Sequence, residues 1–169
     1  MVDTRDVKPG ACSWSLWMPD LDDSALSHCP IRMSHSVAHR LKLETMRRQP
    51  YEACGLLIAQ KGRTPPVFRR FIPMANVRPS ATTFAVRRTE LARALERAAG
   101  GLAALYHSHP RRLALSPLDV RGMQRSSMPW VIGVLTTVRS RGAPETTLYL
   151  AAYARRGQRV FRYEVTTRR

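Results

Sequence analysis

With 169 residues, 44% of them hydrophobic and 24% charged, the chain is long enough for one domain with a real core and too short for two ordinary ones. No apolar run approaches the roughly 20 residues that span a bilayer. Five aspartates (Asp3, Asp6, Asp20, Asp22, Asp23) crowd the N-terminus where a secretory signal needs bases and an apolar middle, so a cytoplasmic location is the expectation. Three cysteines, Cys12, Cys29 and Cys54, with no C-x-x-C, argue against a disulfide framework and against a cysteine zinc cluster.

The formal net charge of +16 is uneven. Residues 1–30 hold only Arg5 and Lys8 against the five aspartates, leaving 26 bases and 7 acids to the rest. Such a body can attract nucleic acid, an acidic protein or an anionic membrane. No long basic run or basic–aromatic interleaving selects nucleic acid, and arginines scattered over a solvated surface explain the composition as well.

Residues 1–30 read as an acidic extension, broken by Pro9, Gly10, Pro19 and Pro30 and carrying Trp14 and Trp17. The domain is expected over 31–169. Ile31–Met33 suits a short strand. Ser34 or Ser36 then caps a helix to about Arg48, with Val37 and Leu41 one turn apart. Pro50 breaks the pattern before Cys54–Ala59, an apolar run that reads as a buried strand. Val67–Ile72 and Thr82–Val86 are further expected strands. Thr89 opens a helix with Leu91, Leu95 and Ala98 on one stripe, stopped by Gly100 and Gly101. A strand over 102–109, a helix from Pro117 to about Met123, and strands at 130–138, 147–154 and 160–166 complete the expected set. The mixture predicts an α/β domain, a mixed β-sheet flanked by helices.

The densest chemical signal is Tyr106-His-Ser-His-Pro110. On a strand, residues i and i+2 share a face, so His107 and His109 project together and suit one metal ion. Imidazole nitrogens fit zinc, and catalytic zinc takes three protein ligands. Taken alone, H-x-H also occurs by accident on surface strands. Ser116-Pro-Leu-Asp119 reads by itself as a helix start, with Ser116 as N-cap, Pro117 at N1 and Asp119 favoured by the helix dipole. So close behind H-x-H, that aspartate gains a second use as a third ligand. Glu52 precedes an apolar strand, where a carboxylate is awkward without a partner or a task, although an exposed loop glutamate is the plain alternative.

In this order Glu52, His107-Ser108-His109-Pro110 and Ser116-Pro-Leu-Asp119 resemble the JAMM, or MPN-plus, metallopeptidases. The Glu-Ala-Cys-Gly-Leu-Leu context of Glu52 and the stretch Pro73-Met-Ala-Asn76 followed by Phe84 are similar too. The resemblance covers about 31–166. It departs in one place: the family has seven residues between the second histidine and the serine, and here Pro110–Leu115 make six. The resemblance implies a three-layer α/β fold related to the cytidine deaminases. It implies one zinc ion per chain on His107, His109 and Asp119, with Glu52 as the base that takes a proton from water. It gives Ser116 a role in holding the oxyanion. Ser108, on the opposite face of the strand, is expected to be structural, and Cys54 to pack inside rather than act as a nucleophile. The implied activity is cleavage of a peptide or isopeptide bond at the C-terminal tail of a ubiquitin-like or sulfur-carrier protein, with no membrane partner. Two other classes stay open: an inactive MPN-type scaffold that binds without cleaving, and a basic nucleic-acid-associated protein.

Overall fold

A computed structural model of the protein describes residues 31–168 except 61, 62, 64, 65, 99, 100, 127, 140 and 141; the acidic extension at 1–30 lies outside the described residues. Among the described residues the elements run β1 (Ile31–Ser34), α1 (His35–Arg48), β2 (Cys54–Ala59), β3 (Val67–Met74), α2 (Arg88–Arg97), β4 (Ala103–His109), α3 (Pro117–Gln124), β5 (Trp130–Val138), β6 (Glu145–Arg156) and β7 (Arg159–Arg168).

Alternation along the strands divides the core into faces. Ala53 just before β2, Leu57 on β2, and Ala104 and Tyr106 on β4 join one cluster with Val37 and Leu41 of α1. The opposite face carries Cys54, Leu56, Ile58 and Ala103, covered by Leu91 and Ala94 of α2. Leu105, Trp130 and Ile132 form a third cluster with Met123 of α3. Period-two patterning in the strands therefore meets a helical stripe on each side.

The α1 cap is Ser34, whose Oγ accepts from the Val37 N–H at 3.4 Å, rather than Ser36. The buried stripe of α1 runs Val37, Leu41, Glu44 and Thr45. Glu44 is held there by Arg47 and Arg48 at 2.7 and 2.8 Å. Burial opposes its ionisation, yet the two arginines outweigh it and leave the carboxyl below its ordinary value. Thr45 Oγ1 donates to the Leu41 carbonyl at 2.8 Å, which leaves it as acceptor for the Tyr106 hydroxyl at 2.6 Å. That bond joins α1 to the centre of β4.

Two expectations are corrected. The sheet is mixed, but it does not remain open between helices: it closes into a barrel in the order β1-β3-β2-β4-β5-β6-β7. The four-residue β1 makes the closure, pairing in parallel with β3 through Arg32 and Met33 and with β7 from Ile31 to Ser34. Apolar periodicity predicts that a strand exists, not which two neighbours it bridges. The second correction concerns Thr82–Val86, which forms no strand. β2 and β5 already occupy both edges of β4, so no lane remains for it there. Its apolar residues are buried by packing instead, Val86 against the α2 cluster and Phe84 against both outer clusters.

The β2–β3 seam tolerates little added volume. A Cβ on Gly55 would lie 2.4 Å from the Ile72 carbonyl oxygen, which is backbone, and 2.5 Å from the Phe71 ring. Gly55→Ala is expected to lower stability by about 1–3 kcal/mol, as overpacking of a filled core does. A thermal midpoint equal to the wild type would show that the seam yields freely.

Candidate metal centre

His107 and His109 reach the site because β4 alternates. They point to the face opposite Tyr106 and Ser108, beside Cys54 in the β2 register. Their Nε2 atoms lie 2.9 Å apart. Asp119 arrives from the first turn of α3, with Oδ1 at 3.4 Å from His107 Nε2 and Oδ2 at 3.2 Å from His109 Nε2. The six-residue loop is thus long enough to bring the carboxylate to the histidine pair. One ligand atom from each of the three residues falls within 4.8 Å of the others.

Asp119 has two tasks at once. Ser116 Oγ accepts from the Asp119 N–H at 3.2 Å, and Asp119 Oδ2 accepts from the Ser116 N–H at 2.6 Å, a reciprocal capping box with Pro117 in the first turn. The helix start that reads so plainly in the sequence is also what aims the carboxylate.

The histidines differ in their surroundings. His109 Nδ1 donates to the Arg112 carbonyl at 3.1 Å, which turns its Nε2 lone pair toward His107 and Asp119 when the ring is neutral. His107 is fully buried, stacked on Phe84 at 4.4 Å between centroids and met edge-on by Trp130 at 5.4 Å. Among the described residues its Nδ1 has no hydrogen-bond partner. Burial holds His107 below its ordinary pKa, overriding Asp119. Burial also works against protonation of His109, but the hydrogen bond and charge of Asp119 and the charge of Glu52 outweigh it and raise that pKa. Asp119 is buried too, yet the two histidines and the Ser116 side chain hold its carboxyl far below the usual range. Two imidazole nitrogens and a carboxylate converging on one point are a donor set that fits zinc.

Glu52 is 4% exposed and sits two residues before Cys54, the register partner of His107. Burial pushes its pKa up to about 7; Asp119 adds to the rise and His109 opposes it. Because this folded value exceeds the ordinary 4.5, the native metal-free protein binds the extra proton between the two, and its stability falls as pH rises through that window. Glu52→Gln should therefore stabilise the metal-free protein at pH 8, by up to about 3 kcal/mol, and give no gain at pH 4. Thermal unfolding of both proteins at the two pH values reads this directly; equal midpoints at pH 8 would contradict it.

Ser108 is structural, as its place on the other face predicts: its Oγ accepts from the Ala53 N–H and its own N–H donates to the Ala53 carbonyl, both at 2.9 Å. Cys54 is buried, with a thiol pushed up to about 12 by that burial, which leaves almost no thiolate near neutral pH. Two contributors escaped the sequence reading. Trp130 looks like an ordinary strand start but walls His107, and Asn76, noted only for its context, organises the loop before Phe84. Its place ahead of a Pro-, Ser- and Thr-containing segment is the signal that was available. A cavity of about 250 Å³ opens beside Asp119, between Thr82, Thr83 and Phe84 of that loop and Leu118 and Gly122 of α3, with Trp130 as floor.

Residues 34–149 match the family described as prokaryotic homologs of the JAB domain, and the chain belongs to that family. A Thermus thermophilus protein named as a probable TtuB-protein conjugate cleaving protease is 38% identical over 106 residues, 59% of this chain and 67% of that protein. The fold is shared with the solution structure of a Desulfitobacterium hafniense protein (TM-score 0.62, 20% identity, 81% of this chain and 92% of the other). A Salinibacter ruber protein in solution matches with a TM-score of 0.52 at 20% identity, over 81% and 91% of the two chains.

Proposed function

We propose that this protein is a zinc-dependent peptidase that cuts the peptide or isopeptide bond at the C-terminal tail of a ubiquitin-like or sulfur-carrier protein. The observation that carries the reading is the convergence of His107 Nε2, His109 Nε2 and the Asp119 carboxylate next to a buried, proton-hungry Glu52. The kinship with the Thermus protease named for TtuB conjugates supports the substrate class. A zinc ion on these three residues would supply Lewis acidity to water and to the scissile carbonyl.

The side chains do the rest. Glu52 takes a proton from the attacking water and returns it to the leaving amine, a task suited to a carboxyl whose pKa lies near neutrality. A nearby cation lowers that value, so the acid limb of the rate is expected below about 7. Ser116 Oγ accepts from Asp119 N–H, and its hydroxyl would turn to donate to the developing oxyanion. Phe84 and Trp130 keep water from His107. Cys54 takes no part, so no covalent enzyme intermediate forms.

The test is zinc per purified chain by elemental analysis, followed by incubation with carrier-protein fusions and mass spectrometry of the products. The reading expects about one zinc, and cleavage at the tail that a chelator stops and added zinc restores. Wild-type protein that takes up no zinc after reconstitution, or that holds it and binds a carrier without cutting, would favour a scaffold.

A further inference from the structure

The main chain of Glu52 is fastened to a single loop on one side and to β4 on the other. Its N–H donates to the Ser80 carbonyl at 3.0 Å, and its carbonyl accepts from Asn76 Nδ2 at 3.1 Å. The next residue, Ala53, is tied to β4 through Ser108. Asn76 spends its whole amide on this region. Nδ2 also donates to the Thr83 carbonyl at 3.4 Å, and Oδ1 accepts from the N–H groups of Arg78 and Ala85, each at 3.1 Å. Val77 N–H closes the loop on the Ala85 carbonyl at 2.9 Å. One amide therefore seals the loop 76–85 and bonds the sealed loop to the backbone of Glu52. The same loop lends Thr82, Thr83 and Phe84 to the cavity beside Asp119.

We propose that Asn76 is a positioning residue that makes the placement of Glu52 depend on the 76–85 loop, so that a substrate segment seated in the cavity sets the base. The proposal rests on the peptidase reading above. A packed loop that carries both substrate contacts and the backbone of a base moves the two together, whereas β2 and β4 are fixed by their ladders. An error of about 1 Å in such a group can cost roughly 100-fold in rate.

Two variants separate loop closure from base placement. Asn76→Asp keeps an oxygen for the Arg78 and Ala85 amides, the two shorter bonds within the loop, but has no donor for the Glu52 carbonyl or for the 3.4 Å bond to the Thr83 carbonyl; Asn76→Ala loses every bond. Both are expected to lower kcat on a carrier fusion by about 10- to 100-fold, with KM and zinc content within about twofold of wild type. Hydrogen exchange on the metal-free proteins supplies a readout apart from activity. In Asn76→Asp the Glu52 amide should exchange faster, while Arg78, Ala85 and Ala53 stay protected. Wild-type kcat in Asn76→Asp overturns the proposal, and so does a loss accompanied by deprotection of Arg78 and Ala85, which would mean the loop had simply opened. If the wild type cleaves nothing, the peptidase reading fails instead, and the exchange pattern still decides whether Asn76 ties Glu52 to the loop.

Discussion

Glu52→Gln is expected to keep about one zinc per chain and to lose cleavage by about 100- to 10,000-fold, the contribution typical of a positioned general base. The amide preserves shape and burial, and none of the three converging ligand atoms belongs to Glu52. The fold should survive as well, since the buried carboxyl costs stability in the metal-free protein at neutral pH. The effect should fall on kcat, because the proton is moved in the transition state and not in binding. Turnover equal to the wild type would remove Glu52 from the chemistry. A loss traced to missing zinc would make it a support for the ligands instead.

Asp119→Ala is expected to cost both metal and activity. It removes one of the three proposed ligands and the only carboxylate among them, and it leaves two histidine nitrogens 2.9 Å apart with no anion between them. It also deletes half of a capping box, worth about 1 kcal/mol. Asp119→Asn separates the two consequences, since its oxygen still accepts from Ser116 N–H and the helix start persists. Both variants should fall well below one zinc per chain by elemental analysis, with Asp119→Asn nearer the wild-type melting temperature. Full zinc in Asp119→Asn would show that the histidines alone hold the ion.

The sequence makes the ligand strand and the helix start legible for local reasons. Alternate residues of a strand share a face, and Ser-Pro-x-Asp favours a helix start, so the common face of His107 and His109 and the cap at Ser116 follow from local spacing, whereas their joint use as a metal site rests on the family resemblance. Barrel closure is not local: it depends on β1 finding β3 and β7, and the pairing partners lie far along the chain. The 82–86 segment misleads because burial of Phe84 and Val86 mimics a strand, whereas its backbone is satisfied by Asn76 and by its own turn. Trp130 is hidden for the same reason in reverse. It lies on a real strand, and its contact with His107 across the β4–β5 pair cannot be seen until the two strands are laid side by side.

The capping box also bears on how the site would behave with and without the proposed zinc ion. In many small zinc modules the ion is the keystone, and removing it unravels the chain. Here Ser116 and the first turn of α3 already hold the Asp119 carboxylate, the β4 ladder holds the two imidazoles, and a barrel core of its own supports both. The socket is therefore rigid before anything enters it, so little ordering entropy opposes capture. If the proposed zinc ion binds there, it can leave and return without the chain passing through the unfolded state.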